Sequence, residues 1–246
     1  MTTPATTEIK KFQQSPTVNW LLRPAKFFAA SLRERPELAV FLLLMLVLSG
    51  PVFFGAMWRT MMFDPAAVLA GEWWRLFTHP FVHVSWYHLL LDGTAFLLLY
   101  HGLSEPSRTH RMICVAAAGT GSLLLTWIAA PIVFTTGLCG LSGIAHGLMA
   151  VSAVEMMWNR QRDSVEWRIG AITFAIVTGK AAFEALTGGA FFEFLYFGLV
   201  GIPVTVSHAG GVIGGLVGWL LCRKKYLQRC NDDSLQAVSF RHASAR

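Results

Sequence analysis

Hydrophobic residues along this chain are grouped into six long runs, separated by shorter segments that hold most of its charged residues. The runs lie at about residues 38–58, 85–104, 112–130, 141–158, 169–187 and 203–222. Each approaches the length of roughly 20 residues with which an α-helix crosses the hydrocarbon core of a bilayer. The pattern therefore predicts an all-α membrane protein, a bundle of six transmembrane helices.

Lysine and arginine are distributed unevenly among the connections between these runs. The first, third and fifth connections together hold only Arg59 and Arg75, and the other connections and both ends are basic. Because positive residues favour the cytoplasmic side, both termini are predicted to be cytoplasmic. Three regions follow: residues 1–37, a basic cytoplasmic segment that is partly a helix on the membrane surface; 38–226, the six-helix domain; and 227–246, a polar cytoplasmic tail.

The overall composition agrees with a membrane protein and narrows its partners. Hydrophobic residues make up 54% of the chain and charged residues 14%, where soluble proteins have roughly a quarter charged. The net charge of +6 comes from residues that flank the apolar runs, so membrane lipid and not nucleic acid is the predicted partner. The four cysteines lack metal-ligand spacing, and neither a metal nor another cofactor is predicted.

Several ionisable or hydroxyl side chains interrupt the apolar runs, where their cost makes each a functional candidate. With the predicted orientation, His88, Asp92, Ser142 and His208 lie at one shallow depth below the outer surface, on three different helices. Unrelated structural residues would be scattered through the membrane thickness. The shared depth predicts a single site, and the remaining candidates in the runs are His146, Lys180 and Glu184.

The chemistry of this cluster fits acyl transfer by a serine. A serine hydroxyl needs a base to remove its proton, and His208 is the candidate. Ser142 begins a predicted helix, whose free backbone N–H groups can stabilise an oxyanion, and His88 can add a side-chain donor. No third acid is evident, so the prediction is a Ser142–His208 dyad with His146 packing against His208.

Structural explanations compete with some of these assignments. Gly143 and Gly147 form a small-residue face that could exist only for helix packing, which would leave Ser142 without a chemical role. Cys139 is an alternative nucleophile, although nothing nearby would activate its thiol and packing is the favoured role.

Two further pairs of polar residues are interpreted as structural. Lys180 and Glu184 are four residues apart on a predicted helix, which favours an ion pair. His79 and His83 lie in the first loop and are assigned to loop hydrogen bonds or interfacial anchoring in preference to metal binding.

Four motifs resemble those of the rhomboid intramembrane proteases. Gly140-Leu141-Ser142-Gly143 resembles their G-x-S-G nucleophile motif, and His208 with Gly211 and Gly215 resembles their H-x-x-G-x-x-x-G motif. Trp74-Arg75 resembles an element of their first loop, and His83 and His88 resemble the start of their second span. The similarity runs from about residue 71 to 218.

This resemblance implies a multi-pass serine endopeptidase of the bacterial inner membrane that cleaves single-span proteins near the outer face. It implies Ser142 and His208 as the catalytic residues. His88 and the Ser142 backbone N–H are implied as oxyanion donors. Supporting roles fall to Gly140, Gly143, His146 and Gly211.

Within the family, the chain is most similar to the rhombosortase branch. That similarity rests on four features: residues 71–76, residues 140–143 with His146-Gly147, Lys180 and Glu184 ahead of Gly188, and Pro203-Val204 before His208. It implies substrates with a C-terminal Gly-Gly motif, one hydrophobic span and a basic tail.

Asp92 departs from the family pattern, which usually has asparagine there as an oxyanion donor. An ionised carboxylate can only accept hydrogen bonds. Asp92 is therefore either protonated, paired with a histidine, or turned away from the site, and the protonated donor is the favoured interpretation.

Two alternatives to a protease remain open. One is an inactive rhomboid-like protein that binds transmembrane helices, and the other is a small transporter. In the favoured interpretation, the outer loop from Gly188 to Gly201 is a hydrophobic cap that a substrate helix displaces. The cap is rich in aromatic residues: Phe191, Phe192, Phe194, Tyr196 and Phe197.

Overall fold

The computed structural model describes residues 30–158, 161–162, 164–191 and 197–223. The predicted tail over 227–246 and most of the predicted surface helix, up to residue 29, lie outside these ranges. The chain forms two compact units. In the first, Met1–Leu43, the described part comprises helical residues 30–34 and the start of the first long helix. The second, Leu44–Arg246, holds the remaining elements.

The described residues are mainly helical. The α-helices are α1 Glu37–Leu48, α2 Pro65–Leu69, α3 Arg75–Thr78, α4 Trp86–Gly102, α5 Arg108–Ala129, α6 Val133–Thr136, α7 Ser142–Trp158, α8 Val165–Thr187 and α9, residues 206–223. Short 3-10 helices occupy Gly50–Phe54, Arg59–Met61 and His79–Phe81. No β-strand occurs within the described ranges, in agreement with the predicted all-α class.

The helices identify a multi-pass membrane protein. Of the described helices, α5 and α8 are long and apolar enough to cross a membrane, and a third span results if Arg75–Phe81 and α4, bent by 96°, count as one. Large apolar side chains such as Leu124, Ile128, Ile172 and Ile176 are exposed, as lipid-facing residues would be. The count of six spans and the cytoplasmic termini stay predictions.

The first apolar run differs from its prediction. A helix was expected to continue through about residue 58, but α1 ends at Leu48 and is followed by the 3-10 helix Gly50–Phe54. Pro51 has no backbone N–H and its ring clashes with the preceding turn, so an α-helix cannot continue through it undisturbed. The other long helices coincide with the predicted runs.

Glycines allow α7 and α9 to approach at backbone distance. A methyl group on Gly211 would overlap the carbonyl oxygen of Gly143, and one on Gly215 would lie 2.7 Å from that of Gly147. Small residues of this kind let neighbouring helices pack closely inside a membrane. Since Gly143 follows Ser142 and Gly211 lies one turn after His208, the contact brings these two candidates to one end of the helix pair.

We expect Gly211→Ala to destabilise the protein because neither backbone has room for the added methyl group. Overpacking of this kind costs about 1–3 kcal/mol. The matched control is Gly179→Ala on α8, where an added Cβ meets nothing within 4 Å. Unfolding by SDS in mixed micelles measures both, and equal stability of the two variants would show that the α7–α9 contact is not tight.

Arg75 organises the first loop, between α1 and α4. Its buried guanidinium donates to the carbonyl oxygens of Arg59 at 2.8 Å and Met62 at 2.9 Å. Directly after Met62, Phe63 forms an isolated antiparallel bridge with Leu138, with both N–H···O distances at 2.9 Å. The first loop therefore supports the segment that leads into α7.

Candidate active site

Ser142 is placed at the start of α7 by a sharply turned backbone. Gly140 has φ +97°, a conformation that favours glycine, and its N–H donates to the carbonyl oxygen of His79 at 3.1 Å. A Cβ at Gly140 would also lie 2.8 Å from Oδ2 of Asp92. Position 140 thus requires glycine both for its backbone conformation and for the space beside Asp92.

His208 has an acidic partner that the sequence did not reveal. Its Nδ1 lies 2.7 Å from Oε2 of Glu184, whose side chain is fully buried. Because a carboxylate only accepts, Nδ1 carries the hydrogen, and Nε2 of a neutral ring is free to accept a proton. The prediction that no acid accompanies His208 is therefore wrong, because Glu184 lies beside it. The only available signal was that Glu184 is an acid within an apolar run.

Lys180 and His146 extend this network. Lys180 Nζ lies 2.8 Å from Glu184 and 2.9 Å from Nε2 of His146, and the predicted ion pair is confirmed. Because an ammonium group donates, His146 Nε2 accepts and its Nδ1–H donates to the Ser142 carbonyl oxygen at 2.8 Å. The His146 ring stacks on that of His208, with centroids 4.0 Å apart, as predicted.

The same residues form the one candidate metal-ligand group found within the described ranges. Ligand atoms of His146, Glu184 and His208 lie within 4.8 Å of one another. However, the two rings are nearly parallel, at 11°, so their in-plane lone pairs do not converge on one ion. The Lys180 ammonium also contacts two of the three ligands. The geometry fits a hydrogen-bonded network better than a metal centre.

The predicted oxyanion donors converge on one point, and a carboxylate oxygen occupies it. Oδ2 of Asp92 accepts from the backbone N–H groups of Leu141 at 3.0 Å and Ser142 at 3.1 Å. His88 Nε2 lies 3.1 Å from the same oxygen. The Val84 N–H donates to His88 Nδ1, which leaves the ring hydrogen on Nε2 and makes His88 the third donor.

This geometry corrects the favoured interpretation of Asp92. A backbone N–H cannot accept a hydrogen bond, so Oδ2 acts as an acceptor and not as the protonated donor that was expected. Three donors on one oxygen favour the ionised form. Of the alternatives considered, pairing with a histidine is the arrangement in the structure.

Ser142 and His208 both line a cavity of about 490 Å³, together with Asp92, His146 and Lys180. Within the part of the chain that the structure describes, no hydrogen bond joins the Ser142 hydroxyl to the His208 ring. Catalytic hydrogen bonds are often long in the absence of substrate and tighten when it binds. The structure therefore places Ser142 and His208 at one cavity without a hydrogen bond between their side chains.

Cys139 also lines this cavity, but its chemistry does not suit a nucleophile. Burial, followed by the nearby Asp92 carboxylate, raises the pKa of the Cys139 thiol to about 12. A thiol with so high a pKa supplies almost no thiolate at neutral pH. Ser142 is the better nucleophile candidate.

The loop histidines make the hydrogen bonds predicted for them. His79 Nδ1 lies 3.0 Å from the carbonyl oxygen of Arg75, and His83 Nδ1 lies 2.9 Å from the Ser49 hydroxyl. Both rings are buried. His83 also lies near the candidate site, which was not predicted: its Nε2 is 3.9 Å from Asp92 Oδ2.

Comparison with known proteins gives one match. A protein-family model described as the Rhomboid domain matches residues 70–225, which include every residue of the network around Ser142 and His208. Searches of curated proteins and of solved structures returned no match.

Proposed function

Because the chain belongs to the rhomboid family, we propose that it is an intramembrane serine endopeptidase with Ser142 as nucleophile and His208 as general base. The observation that carries this proposal is the buried Glu184–His208 pair, 2.7 Å apart, beside the cavity that Ser142 lines. A buried acid bound to Nδ1 holds a histidine in the tautomer that a serine nucleophile needs. Helix packing alone gives no reason for this arrangement.

The reaction proceeds by acyl transfer. His208 Nε2 takes the hydroxyl proton of Ser142 as the oxygen attacks the scissile carbonyl, and it returns that proton to the leaving amine. Water then hydrolyses the acyl-enzyme. Glu184 balances the charge of the imidazolium. Lys180 Nζ donates to His146 Nε2, which leaves that nitrogen without a hydrogen, so no second imidazolium stacks on His208.

The proposed substrates are single-span membrane proteins cut near the outer face. The similarity to the rhombosortase branch supports substrates with C-terminal Gly-Gly tails. The same resemblance supports an inner-membrane location in bacteria, and the lysine and arginine distribution supports cytoplasmic termini. We retain 38–226 as the protease domain, flanked by the basic segment 1–37 and the polar tail 227–246.

The direct test is reaction of the purified protein with a fluorophosphonate probe, with the modified residue identified by mass spectrometry. We expect Ser142 to be labelled, and we expect a single-span reporter to be cleaved in liposomes. Heat-unfolded protein is the control for unspecific reaction. Failure of native protein to label or cleave would favour an inactive, helix-binding protein. The specific observation in favour of that second candidate is the carboxylate among the oxyanion donors.

The described ends of the outer loop support its proposed role as a cap. At one end, the Phe191 N–H donates to Glu184 Oε1 at 2.8 Å. At the other, the Ser85 hydroxyl donates to the Leu199 carbonyl, and Val200 lines the cavity. Phe192, Phe194 and Tyr196 lie outside the described residues.

Replacing Phe191, Phe192 and Phe197 together with alanine should leave labelling of Ser142 equal or faster, because bulky apolar cover is removed. The rate constant for fluorophosphonate labelling measures the effect. The control is Phe54→Ala, which removes an exposed phenylalanine from a different loop. Slower labelling in a folded triple variant would instead make the loop part of the catalytic framework.

A further inference from the structure

Building on the proposed function, we propose that the Asp92 carboxylate is a resident occupant of the oxyanion site. It holds the site closed until it takes up a proton and moves to His83. The scissile carbonyl oxygen then occupies the position that Asp92 leaves. On this proposal, Asp92 regulates access to the site and takes no part in the bond-making steps.

The first observation is the convergence of donors. Asp92 Oδ2 receives the N–H groups of Leu141 and Ser142 and lies 3.1 Å from His88 Nε2. A developing oxyanion on the Ser142 adduct needs donors 2.7–3.1 Å away. Asp92 Oδ2 already has its three donors at roughly these distances. Two negative oxygens cannot share these three donors. Either the carboxylate leaves, or the oxyanion is not stabilised.

The second observation is an unpartnered acceptor beside Asp92. The Ser49 hydroxyl donates to the Phe81 carbonyl at 2.8 Å and therefore accepts from His83 Nδ1 at 2.9 Å. His83 Nε2 then carries a lone pair. Its ring is fully buried, and Nε2 has no hydrogen-bond partner among the described residues. A buried acceptor left without a hydrogen-bond partner is destabilising, so its presence 3.9 Å from Asp92 Oδ2 needs an explanation.

Protonation of Asp92 explains both observations. The carboxylate takes one proton from solvent hydronium, which leaves water, and becomes a carboxyl group whose O–H donates to His83 Nε2. No bond between heavy atoms breaks, and the three N–H donors are released. The other titratable groups that face Asp92 are His88 on α4, His208 on α9 and Cys139 in the segment before α7. His208 Nε2 is also free to accept, but His208 lines the cavity, whereas His83 Nε2 is buried without a hydrogen-bond partner among the described residues.

Two variants distinguish the proposal that Asp92 occupies the oxyanion site from the alternative that the site merely lacks a donor. Asp92→Ala removes the occupant and supplies no donor, whereas Asp92→Asn removes the charge and adds an amide. If Asp92 fills the oxyanion site more than about nine-tenths of the time, fewer than about one-tenth of the molecules have an oxyanion site that can bind the scissile carbonyl. We therefore expect both variants to label at Ser142 about tenfold faster or more at neutral pH. The control is Glu155→Gln, which removes a carboxylate near the C-terminal end of α7. This variant should be labelled at the wild-type rate.

Several outcomes overturn the proposal. Slower labelling of both folded variants would make Asp92 a required group, and unchanged labelling would show that it does not compete. Acceleration by Asn but not by Ala would show that a donor is missing and that no occupant is present. Proton uptake also predicts that the ratio of wild-type to Asp92→Ala labelling rates falls as pH rises. A ratio that is independent of pH overturns the transfer to His83.

The NMR signal of the Ser142 amide gives a test of the proposal that does not depend on catalysis. With selective ¹⁵N-serine labelling, the Ser142 amide is assigned by its loss in Ser142→Ala. An amide proton bound to a carboxylate resonates downfield, so it should move upfield in Asp92→Ala. If no variant labels with the probe, including wild type, the protease proposal fails, while this shift still supports Asp92 as occupant. An unmoved Ser142 amide overturns the occupancy itself.

Discussion

Ser142→Ala and His208→Ala are each expected to abolish cleavage of a membrane-anchored reporter, lowering kcat by at least about 10⁴-fold. Without the hydroxyl there is no acyl-enzyme, and without the ring no base takes the hydroxyl proton. Because the two residues act as a unit, the double variant should be no worse than either single variant. The measurement is reporter cleavage in liposomes at matched protein concentration.

The controls for this prediction come from the same helix and the same cavity. Ser152→Ala makes the same exchange further along α7, and Cys139→Ala removes the competing nucleophile. Both should retain activity. Unfolding in SDS verifies that the inactive variants are folded. Wild-type cleavage by purified Ser142→Ala or His208→Ala would refute the assignment of these two residues.

Glu184→Gln is expected to lower kcat about 10³–10⁴-fold and to change KM much less. Removing the charge of the acid in a serine–histidine–acid arrangement has an effect of about 10⁴, because the histidine is no longer held in the productive tautomer and its imidazolium loses a counter-charge. An amide can present N–H to His208 Nδ1, which favours the wrong tautomer. The same variant leaves Lys180 without its ion-pair partner.

The split between kcat and KM distinguishes a positioning role from a structural one. A variant that loosens the bundle should lose stability and substrate binding together with turnover. Lys180→Met removes the counter-ion but leaves the Glu184–His208 contact, so its kcat should fall less than that of Glu184→Gln. If Glu184→Gln is folded and turns over at the wild-type rate, His208 works without an acid and the dyad is sufficient.

The order of residues along the chain was enough to predict the helical class, the location of the long helices and the candidate residues. Hydrophobic run length and turn residues are local properties, so α4, α5, α7 and α8 lie where the runs predict. It also predicted the Lys180–Glu184 pair, because four residues make one turn of the same helix. The stacking of His146 on His208 followed from the position of His146, one turn after Ser142 on the same helix face.

The pairing of the polar groups could be read only from the folded chain. Spacing along α8 cannot tell which neighbouring helix Glu184 faces, and the glycine contacts of α9 with α7 set the position of His208. Asp92 looked like a donor because its apolar surroundings favour a neutral carboxyl group. The turn at Gly140 instead aims the N–H groups of Leu141 and Ser142 at Oδ2 of Asp92. Whether a carboxyl group donates or accepts depends on the groups around it, and two of the three donors to Asp92 Oδ2 come from residues about 50 positions away in the chain.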